Sequence, residues 1–187
     1  MKTTTFALFF GNRGFFPESL IATARQELQS RITQLGYNTI LLDAGATKYG
    51  AIETADEGRV YARFLEEHRR QVDGVILCLP NFGDETGAVE AVRNAGIPIL
   101  IHAYPDRLDK MGPAQRRDAF CGKFSVMDVF CQYGIPFTAF PPHVVDPQSD
   151  SFAEQIHTFA GVCRVYHGMR RMVVGAIGAR TTAFKTV

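Results

Sequence analysis

The sequence predicts a three-layer, doubly wound α/β fold with a mainly parallel sheet of about five strands. The clearest indication is a βαβ unit in the middle of the chain. Residues 75–79 and 99–103 are unbroken apolar runs, which are typical of parallel strands buried on both faces. Between them, residues 86–94 have a helix-forming composition, and Gly96 stands where a helix commonly ends. We therefore expect a right-handed crossover, with loop 80–85 at the carboxyl end of the first strand, where open α/β sheets bind ligands.

The beginning of the chain has the same order of strand, turn, helix and strand. Residues 6–10 predict the first strand, residues 11–14 form a glycine turn, and Pro17 begins a helix that runs to about Leu35. Gly36 ends this helix and residues 38–42 predict the second strand. The glycine turn lacks the spacing of dinucleotide- and triphosphate-binding loops, so we interpret it as a tight strand-to-helix turn.

The remaining elements complete one domain. Helical composition recurs at residues 54–70, 126–133 and 152–169, and residues 137–140 predict a short strand. Residues 171–180 repeat the opening pattern of an apolar strand and a glycine turn. This pattern indicates that the chain is the front part of a longer protein, or that its last strand docks on another segment. We assign residues 1–170 to an α/β amino-terminal domain and residues 171–187 to the truncated start of a second domain.

Composition excludes several classes of partner. The 187 residues are 46% hydrophobic and 21% charged, with a net charge of +1, so neither nucleic acid nor an anionic membrane is indicated. No apolar run approaches the roughly 18 residues of a membrane helix, and the first residues lack the pattern of a secretion signal. The four cysteines have no metal-type spacing. We predict a cytoplasmic protein with reduced thiols.

The chemistry of the chain favours binding over catalysis. Its five histidines form no metal-binding pair and no nucleophile motif is present, so we predict neither a catalytic residue nor a metal ligand. His102 is the best placed histidine for a site, although a hydrogen-bonded structural histidine fits at least as well. Polar side chains and aromatic rings at the predicted strand ends suit a sugar or polyol. The polar residues are Asn12, Arg13, Asn81, Asp84, Glu85, His102 and Tyr104.

Four motifs, in this order and spacing, carry a family resemblance. They are Gly11-Asn12-Arg13-Gly14-Phe15-Phe16-Pro17, Pro80-Asn81-Phe82-Gly83-Asp84-Glu85, Phe120-Cys121-Gly122-Lys123-Phe124-Ser125-Val126 with Tyr133-Gly134-Ile135-Pro136-Phe137, and Gly178-Ala179-Arg180-Thr181-Thr182-Ala183-Phe184. Over nearly its whole length, the chain thus resembles the amino-terminal region of the L-fucose/L-arabinose isomerase-like family. The resemblance implies a Rossmann- or flavodoxin-like domain.

The resemblance also implies an activity for the complete protein. Enzymes of this family interconvert an aldose and a ketose with a divalent metal, usually Mn²⁺, held by two carboxylates and a histidine from later in the polypeptide. It further implies hexamers in which the amino-terminal domain of one subunit helps to cover a neighbour's active site. We therefore expect a sugar ketol-isomerase whose partners are a sugar, its own remaining domains and further copies. We expect this chain alone to bind no metal and to be inactive.

By position in these motifs, the resemblance implies that six residues contact substrate: Arg13, Asn81, Phe82, Asp84, Glu85 and Lys123. Structural alternatives are a helix cap for Asp84, a turn role for Asn81 and a domain partner for Lys123. The chain has no tryptophan, which part of the family uses as an aromatic platform, and Phe82 can replace it. Which sugar is used stays open. The alternative functions are a non-catalytic sugar- or metabolite-binding module and a flavodoxin-like or nucleotide-binding protein.

Overall fold

A single parallel sheet lies at the centre of the domain. The computed structural model describes residues 3–175 and 177–178. The strands in this part of the chain are β1 (Thr5–Phe10), β2 (Asn38–Leu41), β3 (Gly74–Leu79) and β4 (Ile99–Ala103). Their spatial order is β2-β1-β3-β4, and every neighbouring pair is parallel. Strands β1 and β3 are buried along their whole length, which explains why their sequences are continuous apolar runs.

Helices cover both faces of the sheet. They are α1 (Ser19–Gln34), α2 (Ala55–Glu67), α3 (Glu85–Val92), α4 (Ala119–Gln132) and α5 (Asp150–Arg170). One core contains side chains of α1 and α5 with the β1 residues Phe6 and Leu8. The opposite core contains side chains of α2, α3 and α4 with Ala7 and Phe9. The predicted three-layer, doubly wound α/β fold is confirmed.

The predicted strand at residues 137–140 is reduced to one bridge. Thr138 pairs with β4 in parallel orientation at the position of a fifth strand. Its N–H donates to Ile99 O at 2.7 Å, and its carbonyl accepts from Ile101 N–H at 3.0 Å. Pro136 and Pro141 lie close on either side, and a proline cannot donate a hydrogen bond to a sheet. These prolines explain why the ladder is short.

The sequence predicts the start of α2 well but the start of α4 poorly. Helix α2 begins after Thr54, whose hydroxyl accepts from Glu57 N–H at 3.2 Å while the Glu57 carboxylate accepts from Thr54 N–H at 3.1 Å. Helix α4 begins at Ala119, earlier than the predicted residue 126. Its first turns bury Gly122 and Lys123, residue types that do not mark a core face in a sequence.

Helix α5, which ends at Arg170, is the last helix in the described part of the chain. Residues 172–175 follow without regular secondary structure, so the strand predicted there is not formed. Most of the residues that follow in that prediction, Ala176 and 179–187, lie outside the described residues, and the second domain stays a prediction. Within the part of the chain that is described, no helix has both the length and the apolar character needed to cross a bilayer. All four cysteines are free thiols.

Candidate functional site

The loops after β1 and β3 meet at the carboxyl edge of the sheet. From β1 the chain proceeds to β2 on one side, and β3 lies on the other side of β1. The gap between β1 and β3 is therefore the switch point of the sheet, where open α/β folds form their ligand crevice. Arg13 follows β1, and residues 81–85 follow β3. The fold thus brings the two main predicted loops to one place.

Arg13 connects these two loops. Its Nε donates to the carbonyl of Gly83 at 2.7 Å, and its Nη2 forms an ion pair with Glu85 Oε2. Its guanidinium carbon lies 4.6 Å from the centroid of the Phe82 ring, and Nη2 lies 4.0 Å from Asp84 Oδ2. The Arg13 side chain is still 29% exposed. Four of the six predicted site residues, Arg13, Phe82, Asp84 and Glu85, therefore form one half-buried assembly.

Helices α3 and α4 hold the two acidic residues of this assembly. Asp84 Oδ1 accepts from Gly87 N–H at 2.8 Å, so Asp84 caps α3 in addition to facing Arg13. Glu85 Oε1 accepts a hydrogen bond from the Ser125 hydroxyl of α4. Burial raises the pKa of the Glu85 carboxyl, but hydrogen bonds from Ser125 and the charge of Arg13 outweigh it and hold this pKa below its ordinary value. Glu85 is therefore a carboxylate acceptor at neutral pH.

Asn81 lies beneath the assembly and is fully buried. Its Nδ2 donates to Asn12 Oδ1 at 2.7 Å, and its Oδ1 accepts from Gly83 N–H at 3.1 Å. Asn12 Nδ2 in turn donates to Glu53 Oε2 at 2.9 Å. This chain of amides braces the loop after β3 against the loop after β1. The contact of Asn81 with substrate stays a prediction, whereas its role in the turn is visible in these hydrogen bonds.

Lys123 is buried apart from this assembly. Its Nζ donates to the carbonyl of His143 at 2.9 Å, and burial lowers the pKa of its ammonium to about 8. Ser125, which contacts Glu85, is two residues further along α4 and so points roughly 200° around the helix. The structure therefore does not bring Lys123 together with Arg13, and its contact with substrate stays a prediction.

His102 is a buried histidine packed against Tyr104 and Phe152, with ring centroids 5.3 and 5.1 Å away. Burial, together with the nearby charge of Lys123, lowers the pKa of its imidazole to about 3. Its Nε2 makes no hydrogen bond within the described residues. His102 is thus a neutral residue of the core, but the hydrogen bond that the structural alternative expected is not formed at Nε2.

Two residues, Gly122 and Asn12, help to build the site in ways that the sequence alone did not predict. Gly122 allows α4 to pack directly on the loop after β3, because a Cβ there would overlap the carbonyl group of Phe82. Asn12 lies two residues after the end of β1 and links Asn81 to Glu53. A glycine inside a helix and an asparagine at a strand end are both signals, but their partners are distant in sequence.

The described residues do not fit a manganese site. No group of three or more histidine, cysteine, aspartate or glutamate side chains in residues 3–175 and 177–178 could hold a metal ion. Two carboxylates that follow β3, Asp84 and Glu85, face the guanidinium of Arg13. A permanent cation at this distance opposes the binding of a second one. The residues suit the orientation of a hydroxylated ligand.

The fold and the paired loops define an α/β domain with a half-buried polar assembly at the switch point of its sheet. The chain belongs to the family described as fucose/sulfoquinovose isomerase, N-terminal domain, whose match covers residues 7–170. The resemblance stated from the four motifs is therefore confirmed.

Other comparisons add little. The chain is similar to FerB, a flavoenzyme NAD(P)H:(acceptor) oxidoreductase from Paracoccus denitrificans, with a TM-score of 0.46 and 14% sequence identity. The alignment covers 88% of this chain and 95% of that one. A likeness at this level carries no argument about function. No curated protein matches the sequence.

Proposed function

We propose that this chain is the substrate-covering amino-terminal domain of a metal-dependent sugar ketol-isomerase, which interconverts an aldose and a ketose. Membership of the fucose/sulfoquinovose isomerase family supports the reaction class. The observation that carries the role of this domain is the assembly of Arg13, Phe82 and Glu85 at the switch point. The remaining domains, a homo-oligomer and a cytoplasmic location belong to the same proposal.

The assembly offers what a sugar edge requires. Arg13 Nη1 makes no hydrogen bond within the described residues and can donate to a hydroxyl group. Glu85 accepts hydrogen bonds, and Ser125 fixes the direction of its carboxylate. Phe15, which is 77% exposed, follows Arg13 in the same loop and offers an apolar ring. These groups would bind and orient a sugar without taking part in proton transfer.

The metal belongs to another part of the proposed protein. Because Asp84 and Glu85 face Arg13, and no cluster of metal-binding side chains is found among the described residues, we place the Mn²⁺ ligands outside this chain. The domain would then close over a sugar that is held from the other side by the metal-binding domain. This division of labour keeps solvent away from the reacting carbons and fixes their orientation.

An activity assay of two proteins tests the proposal. The complete protein and the 187-residue chain are each assayed with Mn²⁺ and a panel of aldoses that includes L-fucose and L-arabinose. We expect ketose formation by the complete protein alone. Turnover by the 187-residue chain would contradict the division of labour. Saturable sugar binding by the complete protein without any turnover would instead favour a non-catalytic sugar- or metabolite-binding module.

A further inference from the structure

Two arginines hold the loop after β3, one from each side. From the β1 side, Arg13 Nε donates to the carbonyl of Gly83 at 2.7 Å. From the β4 side, Arg117 Nη1 donates to the carbonyl of Pro80 at 2.8 Å. Arg117 belongs to the segment between β4 and α4, so the two hydrogen bonds come from distant parts of the chain. Pro80 and Gly83 are both buried, and the bonds to their carbonyls fix the path of the backbone between them.

Arg117 reaches Pro80 across the ring of Tyr104. Its guanidinium carbon lies 4.6 Å from the centroid of that ring. Tyr104 directly follows β4, its backbone N–H donates to Leu79 O at 3.2 Å, and its hydroxyl donates to Glu27 at 3.1 Å. A ring that is held at both ends gives the guanidinium a fixed surface to lie on. The end of the neighbouring strand therefore sets the direction of the Arg117 side chain.

The backbone at Arg117 is fixed as well. Its N–H donates to Asp106 Oδ1 at 2.8 Å, and the N–H of Asp118 donates to Asp106 Oδ2 at 3.1 Å. Asp118 has a φ of 49°, in the left-handed region that is uncommon for a residue with a side chain, and α4 begins at the next residue. Such a conformation is kept only where the surrounding contacts favour it. This turn thus holds Arg117 beside Pro80 while the chain enters α4.

The charge of Arg117 has no carboxylate partner within the described residues, where Nη1 is its only side-chain nitrogen that makes a hydrogen bond. The other arginines of the same segment, Arg107 and Arg116, pair with Asp109 and Asp118. An arginine is a permanent cation, and a hydrogen bond from a charged donor is stronger than one between neutral groups. Arg117 therefore directs a strong donor at the backbone of the loop after β3.

We infer that Arg117 is a positioning residue of the proposed sugar site. Within the described residues it forms no hydrogen bond, ion pair or cation–π contact with Arg13, Phe82 or Glu85. It acts through the backbone instead, because holding the Pro80 carbonyl keeps Phe82 against the Arg13 guanidinium. Arg13 is then held in the direction in which it donates to a sugar hydroxyl. This inference rests on the proposed function, since it names a further residue of the same site.

The first test needs no substrate. In the 187-residue chain, side-chain NMR follows the Arg13 Nε–H signal in the parent, in Arg117→Gln and in Arg107→Gln. We expect Arg117→Gln to shift this signal and to speed its exchange with water, because the carbonyl of Gly83 is displaced. The matched control, Arg107→Gln, removes an exposed arginine that pairs with Asp109 and should leave the signal unchanged. An unshifted signal in Arg117→Gln, or an equal shift in both variants, would overturn the inference.

The second test is a double-mutant cycle in the complete protein, with kcat/KM for an aldose as the readout. Arg117→Gln should lower kcat/KM by about threefold or more in the parent, but should have little further effect in Arg13→Ala, because both residues act on the same loop. Equal losses in the two backgrounds would indicate a general effect on the fold and would overturn the inference.

A conservative variant covers the case in which Arg117→Gln does not fold. Arg117→Lys keeps a charged donor for the Pro80 carbonyl but loses the planar stack on Tyr104, so we expect it to lie between the parent and Arg117→Gln in both measurements. An Arg13 signal that Arg117→Lys displaces no more than Arg107→Lys does would count against a positioning role.

The outcomes separate this inference from the proposed function. A complete protein that converts no aldose would contradict the proposed function, and the Arg13 signal of the ligand-free chain would still decide the role of Arg117. Aldose conversion that is equally fast in Arg117→Gln and Arg107→Gln would overturn the inference and leave the proposed function intact.

Discussion

The guanidinium of Arg13 lies over the ring of Phe82, with its central carbon 4.6 Å from the ring centroid. This contact joins residues 69 positions apart in the sequence and holds the loop after β1 against the loop after β3. A cation–π contact contributes about 0.5–1 kcal/mol when partly exposed, and the pairing of Arg13 with Glu85 adds to it. These contacts therefore hold the two switch-point loops together within the chain itself.

Because α4 packs on the loop after β3, Gly122→Ala should lower the stability of the protein markedly. The added Cβ would overlap the carbonyl group of Phe82, so either the helix or the loop must move. We expect the free energy of unfolding to fall by about 1–3 kcal/mol, as measured by urea denaturation. The matched control is Gly168→Ala in α5, where no atom lies within 4 Å of the new Cβ. A similar effect of both substitutions would contradict the close approach of α4 to Phe82.

The buried amide chain predicts that Asn81→Ala destabilises the protein. The substitution leaves Asn12 Oδ1 and Gly83 N–H without their partner in a dry environment. Each buried polar group left unsatisfied costs about 1–3 kcal/mol. Asn94→Ala, at an exposed position after α3, should change the free energy of unfolding by less than about 0.5 kcal/mol. Equal stability of the two variants would show that the Asn81 bonds contribute nothing.

The sequence could predict which loops lie at the carboxyl ends of the strands and so form the site. The apolar runs of β3 and β4 are long and unbroken, and the rule that ligands bind at carboxyl ends of parallel strands then places residues 81–85 and Arg13 at one edge. Which side chains face outward could not be predicted in this way. Asn81 is buried because Asn12, 69 residues earlier, receives its hydrogen bond, and such distant pairings leave no local pattern.

The burial of Lys123 explains why the sequence did not predict the start of α4. Lys123 is almost completely buried, and a lysine in a sequence usually indicates an exposed position, so the first turns of α4 did not show a helical pattern.

The lowered pKa of the buried His102 imidazole should make the stability of the protein depend on pH. Its pKa in the folded protein is about 3, below the value of about 6.5 in an unfolded chain, so the unfolded chain binds an additional proton between these two values. Stability should therefore fall as the pH is lowered from about 6.5 towards 3, by at most about 1.4 kcal/mol per pH unit from this group.

Two measurements check this dependence. NMR of the His102 imidazole should show no titration between pH 5 and 8, and a titration midpoint near 6.5 would contradict its burial as a neutral group. In urea denaturation, His102→Asn should reduce the slope of stability against pH below 6.5.

The central claim, that the switch-point loops orient a sugar but hold no metal, is tested most directly by Arg13→Ala in the complete protein. Kinetics of aldose–ketose conversion and the manganese content of the same purified sample are measured together, with Arg70→Ala as the control. We predict that kcat/KM falls by about tenfold or more, since a charged hydrogen-bond donor to substrate is lost, while the manganese content matches that of the parent protein. An unchanged kcat/KM, or loss of manganese from Arg13→Ala, would contradict the account.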